Sequence, residues 1–273
     1  MYGKYLENVR IISPTVHNIT NFVTANDCAN ILIAAGASPI MANEPKEMRD
    51  ICAISNGLNI NLGTINKTTA SSMILAGRFS NKLSNPVVLD LVGIGASSFR
   101  KYITKTLIEK VKFSVIKGNI SEINTLSFNK KTHTGVDAKS TDKITKDNLN
   151  EKIKIIKKLS KSLDAIIVVS GEVDIITDGD STFLIENGHA MMADVSGSGC
   201  MLSSLITAFI SANKKNMLDA TAAAVFTMGI AGEISYKRMD NLDGSSSYRN
   251  YLIDAIYNMK PEIIDKNAKY EII

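Results

Sequence analysis

Short apolar runs, separated by longer stretches of helical periodicity, constrain this chain more than any other feature. Runs at 58–62, 87–92, 113–116 and 165–169 are four to six residues long, and most carry Val or Ile, residues that suit a pleated, packed surface. Between them, 68–83, 99–111 and 149–163 place apolar side chains at helical spacing. In the last of these, Ile153, Ile156, Leu159 and Leu163 oppose a face of lysines. Strand–helix–strand alternation with apolar strands predicts an α/β fold: a mainly parallel central sheet flanked by helices on both faces, in three layers.

The pattern changes after residue 170. Segments 173–177 and 181–186 flank Asp178-Gly179-Asp180 and read as a hairpin. Helices are expected at 199–212, 217–237 and 247–259, and near the start at 20–35, stopped by Gly36. No Pro/Gly/Ser-rich linker and no repeat divides the 273 residues, so one domain, 1–273, is expected. The polar segment 129–146 reads as a surface excursion.

Composition narrows the function classes. An apolar share of 45% with net charge +4 excludes a chain disordered throughout. Segment 201–212 is interrupted by Ser203, Ser204, Thr207 and Ser211 and falls short of the ~18 apolar residues that cross a bilayer. Residues 1–10 are polar and lack a signal-peptide core, so no membrane partner is expected. Cys28, Cys52 and Cys200 are odd in number and far apart. They suit neither a disulfide framework nor a zinc site, and a reducing cytoplasm is the expected location. The lysines of 130–161 have no interleaved aromatics and read as a solvated helix face, so no nucleic-acid partner is expected.

Five segments carry candidate chemistry. Asp194-Val-Ser-Gly-Ser-Gly-Cys200 runs directly into an apolar helix. Gly197 and Gly199 permit close backbone approach, and the helix start offers free N–H groups and a positive dipole end to a phosphate. Cys200 falls in the first turn, where a thiol pKa tends to be lowered; equally, Ser196 and Ser198 cap a helix and Cys200 packs as a small apolar residue. Val115-Ile-Lys-Gly-Asn-Ile-Ser-Glu122 ends a strand, where open parallel sheets bind ligands. Lys117 can meet a phosphate and Glu122 can organise Mg²⁺, although Asn119-x-x-Glu122 also satisfies a capping box. Asp90 ends the strand of 87–92 beside Gly93 and Gly95, as a second Mg²⁺-organising acid or as a turn cap. Ser170-Gly-Glu-Val-Asp174 is another strand end, open to a nucleotide or to an ordinary turn. Val16-His-Asn-Ile-Thr-Asn21 is dense in hydrogen-bonding groups through His17, Asn18 and Asn21, and Met41 is a candidate pocket wall. Together they point to phosphoryl transfer by positioning and electrostatics. The patterns GxxxxGK[ST] and those of protein kinases are absent.

These motifs, in this order, resemble hydroxyethylthiazole kinases of thiamine salvage, within the ribokinase-like superfamily. The resemblance runs from about Ser13 to about Met259 and also takes in Asn61-Leu-Gly-Thr64 and Gly188-His189. It implies a ribokinase-like fold and Mg²⁺-dependent transfer of the γ-phosphoryl group of ATP to the alcohol of 4-methyl-5-(2-hydroxyethyl)thiazole. It implies that Gly197 to Gly199 form the anion hole, with Cys200 beside the substrate hydroxyl as base or orienter. By the same resemblance Lys117 and Ser170 bind ATP, Met41 and Gly197 bind the thiazole, and Asp90 and Glu122 organise Mg²⁺. A homotrimer is implied too, with interfacial pockets fed by 17–21 and Met41. Two other readings fit parts of the sequence: a hydroxymethylpyrimidine-type kinase of the same superfamily, and a non-catalytic thiazole or nucleotide sensor. The chain departs from the family pattern at Lys117, usually Arg, at Asp90-Leu-Val-Gly93, usually Asp-Pro-Val-Gly, and in its lysine-rich 129–146.

Overall fold

The computed structural model describes residues 1–129 and 148–273; most of the lysine-rich 129–146 lies outside them. The chain runs α1 (Gly3–Ile12), β1 (Thr15–Ile19), α2 (Ala25–Ala35), β2 (Ser38–Met41), α3 (Met48–Ile54), β3 (Gly57–Asn61), α4 (Lys67–Lys82), β4 (Val87–Asp90), α5 (Ser98–Lys110) and β5 (Val115–Asn119). It continues through α6 (Ile120–Asn129), α7 (Leu149–Leu163), β6 (Ile166–Ser170), β7 (Asp174–Thr177), β8 (Thr182–Ile185), α8 (Ser198–Ala212), α9 (Met217–Arg238), α10 (Ser245–Tyr257), α11 (Pro261–Asn267) and β9 (Tyr270–Ile272). Among the described residues the strands form one sheet of nine, in the order β2-β1-β3-β4-β5-β6-β7-β8-β9. Pairings from β2 to β6 are parallel, and those from β6 to β9 antiparallel.

Successive residues of a strand face opposite sides of the sheet, and both sides are core. Val88, Val115 and Val168 join the apolar cluster under α1, α2, α8, α9, α10 and α11. Leu89, Ile116 and Ile167 join the cluster under α3, α4, α5, α6 and α7. That is the expected three-layer sandwich. The hairpin is also present, turning at Gly179 with φ +96°.

Four expectations change. The helix read over 20–35 starts at Ala25, because residues 20–24 form the loop and turn that follow a strand, β1, which holds His17 and Asn18. Residues 1–10, read only as polar, enter α1, which buries Tyr5, Leu6 and Val9. The two edge strands, β2 and β9, were not legible as strands. Helix α9 is, by length and composition, apolar enough to cross a membrane, which the sequence reading passed over; 72% of its apolar window is buried in this core.

Parallel order sets the site. The carboxyl ends of β3, β4 and β5 align, so that Asn61 pairs with Asp90 and Asp90 with Lys117. Asn119 likewise pairs with Ser170 across β5 and β6. Above this row lies the start of α8.

Candidate active site

A polar seam joins β3 to α8. Gly57, Asn59 and Asn61 alternate with apolar residues and so share one face of a central strand. A Cβ on Gly57 would lie 2.1 Å from Ser211 Oγ. Asn59 Nδ2 donates to Ser204 Oγ at 3.1 Å, and Asn61 Nδ2 approaches Cys200 Sγ at 3.2 Å. Of the hydroxyls that interrupt the apolar sequence of α8, Ser204 is thus a partner of β3 and Ser203 of Asp90 on β4, while Thr207 and Ser211 bond back to the helix backbone. Each such buried pair contributes about 1 kcal/mol net, and orphaning either member costs more.

The seam ends at the glycine loop. Gly197 takes φ +87°, and a Cβ there would sit 2.1 Å from Thr24 Cγ2. Glycine is required on both counts. A Cβ on Gly199 would lie 3.0 Å from Lys117 Nζ, so the ammonium rests directly against the N-terminus of α8. Lys117 is buried and pairs with the fully buried Asp90, Nζ to Oδ1 3.4 Å. Asp90 Oδ2 accepts from Ser203 Oγ at 2.6 Å and Asn61 Nδ2 at 2.9 Å. Burial pushes the Asp90 carboxyl upward against the pull of Lys117 and Ser203. Burial also disfavours the Lys117 charge, but the negative groups around it, Asp90 first, hold its pKa above the ordinary value. The lysine therefore stays charged.

Cys200 is buried, and its sulfur accepts from Asn21 Nδ2 at 3.3 Å and Asn61 Nδ2 at 3.2 Å. The expected lowering of its pKa is not what this environment produces. Burial, and then the Asp90 charge, push the thiol upward, outweighing Lys117 and the hydrogen bonds to the sulfur.

Glu122 takes the capping reading of its segment. It forms the capping box, accepting from Asn119 N at 2.8 Å while its own N–H donates to Asn119 Oδ1 at 2.9 Å. Its other oxygen accepts from Gly93 N at 2.9 Å. Every carboxylate oxygen of Asp90 and Glu122 thus already holds a protein donor. No group of three or more His, Cys, Asp or Glu suited to a metal occurs among the described residues. Such donors fit Mg²⁺ carried by nucleotide phosphates and reached through water, which is its habit, and do not fit an all-protein cage.

One cavity opens at the start of α8, and a smaller one lies beside β1 and β2. A cleft of about 610 Å³ is lined by Asn119, Ser170, Asp174, His189, Ser198 and Gly199 among others. Asp174, whose Oδ1 accepts from Gly171 N at 2.9 Å, has its carboxyl pushed up to about 7 by burial. On the other side, a pocket of about 200 Å³ is lined by Asn18, Phe22, Met41, Ala42, Thr64 and Asn66 among others. Cys200, tied to Asn21, and Gly197, against Thr24, line neither cavity. Asn18 lines the pocket and also accepts from Asn59 and Ser204. His17 does not line it: the ring is fully buried, with Nε2 2.9 Å from the Ala42 carbonyl, and burial lowers its pKa. It braces the wall that Ala42 forms.

The structure thus lines the cleft with Ser170 and Gly199 and the pocket with Asn18 and Met41, while Asn21, Asp90, Lys117 and Cys200 are joined by hydrogen bonds and an ion pair near the start of α8 and line neither. Sequence reasoning gave no role to Thr24, Asn59, Asn61, Arg100, Asp174 or Ser203. The alternation Leu58-Asn-Ile-Asn-Leu62 was the available signal for the asparagines. Arg100, which donates to the carbonyls of Leu62, Gly63 and Val92, carries no such signal.

The model of the hydroxyethylthiazole kinase family matches residues 6–262. The chain belongs to this family. A relative called hydroxyethylthiazole kinase from Clostridium acetobutylicum is 48% identical over 271 residues, 99% of each chain. The solved structure of a hydroxyethylthiazole kinase from Pyrococcus horikoshii OT3 superposes with TM-score 0.88 at 32% identity, covering 100% of this chain and 98% of the other. A Staphylococcus aureus pyridoxal kinase shares the fold, at TM-score 0.60 and 14% identity over 95% of this chain and 98% of the other.

Proposed function

We propose that the chain transfers the γ-phosphoryl group of ATP to the hydroxyl of 4-methyl-5-(2-hydroxyethyl)thiazole. One observation carries this reading in a member of this family: the glycine loop, Lys117 and Cys200 converge at the start of α8, where Ser198 and Gly199 line the larger cleft. The cleft would take ATP past Ser170 and Asn119. The pocket would take the thiazole against Met41 and Asn18.

The work of the protein is positioning and charge. Backbone N–H groups of the loop and the positive end of α8 face the transferring phosphoryl group. Lys117 adds a fixed positive charge that Asp90 keeps in place. Mg²⁺ on the phosphates would neutralise charge there, with Asp90 and Glu122 accepting from its waters. Cys200 orients the alcohol rather than deprotonating it. Its pKa is raised by burial, and a loose phosphoryl-transfer transition state needs little base help.

A homotrimer with interfacial thiazole pockets is part of the same proposal. Phe22 and Val23 are 82% and 61% exposed, and Phe22 and Met41 line the pocket, so a partner covering them would close it. Three buried, unpaired cysteines support a reducing cytoplasm. The test offers purified protein the thiazole alcohol and the hydroxymethylpyrimidine alcohol together, with ATP, with and without Mg²⁺, and reads products by mass spectrometry. Thiazole phosphate formed only with Mg²⁺ is expected. Preferential pyrimidine phosphate, or no product, would reject the reading.

A further inference from the structure

Asn61 is fully engaged at the centre of the site. Its side chain is buried, with the residue 1% exposed. Its amide nitrogen donates to Asp90 Oδ2 at 2.9 Å and to Cys200 Sγ at 3.2 Å. Its carbonyl oxygen accepts from Asn21 Nδ2 at 3.1 Å and from Gly63 N at 2.9 Å. The two N–H groups of one amide are thus divided between a carboxylate and a sulfur, which is the full donor capacity of that nitrogen. Cys200 cannot rotate without giving up a donor that Asp90 fixes from the other side. Asn21, which also donates to the sulfur, is itself oriented by the Asn61 carbonyl oxygen. The sulfur's two amide donors are therefore set by one residue.

We propose that Asn61 is a positioning residue for phosphoryl transfer: its amide ties the Cys200 sulfur to the Asp90 carboxylate and fixes where the sulfur meets the substrate hydroxyl. This rests on the kinase reading above. The role belongs to the reacting geometry because all four hydrogen bonds of the Asn61 amide go to protein partners, Cys200 and Asp90 among them. Loss of alignment at a reacting centre falls on the rate of the chemical step.

The test compares wild type with Asn61→Leu, which keeps the number and branching of the side-chain heavy atoms and removes all four hydrogen bonds. Asn61→Ser, too short to reach the sulfur, takes its place if the leucine variant does not fold. Steady-state kinetics with ATP and the thiazole alcohol should show kcat down by roughly tenfold to a hundredfold, with each KM moved by less than about threefold. Independently of turnover, the infrared S–H stretch of Cys200, identified as the band lost in Cys200→Ser, should shift in the Asn61 variant. An unchanged kcat, a loss carried by either KM, or an unmoved S–H band with an active wild type each overturn the positioning role alone. A wild-type protein that leaves the thiazole alcohol untouched overturns the kinase reading and the positioning role with it.

Discussion

At the scale of single residues, environment decides role more than residue type does. Cys200 occupies a helix start that favours a thiolate, yet burial and Asp90 raise its pKa. Cys200→Ser should keep measurable activity, since an oxygen can accept from the same two amides. Glu122→Gln should lose far more, because one amide cannot accept from both Gly93 and Asn119 with two oxygens. Initial rates of both variants, at saturating ATP, settle the order; a dead serine variant beside an active glutamine variant reverses it. Asp174 gives a pH test. Its folded pKa, about 7, lies above the unfolded value near 3.8. A raised pKa means the folded state binds the proton more tightly. Its contribution to stability is full below about pH 4, is lost as pH rises through about 7, and is on the order of 4 kcal/mol. Asp174→Asn keeps an acceptor for Gly171 N and removes the titration. The melting temperature of the variant relative to wild type should therefore rise between pH 4 and 8. A constant difference would show that Asp174 titrates normally.

At the scale of elements, the glycine loop and the β3–β4–β5 row work as pieces. Gly197→Ala faces both a positive φ and Thr24. Its cost in kcat/KM should exceed about tenfold, in line with a strained backbone worth 1–3 kcal/mol. Adding Thr24→Ala removes the contact but leaves φ, so recovery should be partial; full recovery would mean that the contact alone mattered. Lys117→Met strands Asp90 in the interior and should lower unfolding stability by about 3–5 kcal/mol. Adding Asp90→Asn should return most of that, as chemical denaturation would report, while activity stays lost.

The elements themselves were largely legible. Leu149–Leu163 is the helix that its apolar stripe describes, and the central strands fall within a few residues of their apolar runs. Strand β1 was obscured because His17 and Asn18 look like surface residues. They are tolerated inside because Ala42, Asn59 and Ser204 supply partners from elsewhere in the chain. Helix α1 was obscured because only Tyr5, Leu6 and Val9 face the core. The edge strand β9 forms only against β8, and its three exposed residues, Tyr270-Glu271-Ile272, alternate too briefly to announce it.

At the scale of the whole molecule, the smaller pocket opens beside exposed apolar side chains. Phe22→Asp should shift the assembly from trimer to monomer in sedimentation experiments and raise the KM for the thiazole alcohol more than that for ATP. A monomeric wild type, or a variant that stays trimeric with unaltered kinetics, would remove the interfacial pocket from the proposal.

The sequence by itself determined the layered α/β fold, the glycine loop at a helix start, and which strand ends carry polar groups. Periodicity and backbone permissiveness are local properties, readable over a few turns. Only the tertiary structure decided that Asn61 stands between Asp90 and Cys200, that Lys117 lies against Gly199, and that His17 braces a wall instead of lining the pocket. Those are pairings across 25 to 139 positions of chain. Strand order and the seating of α8 create them, and with them the burial that sets each group's charge.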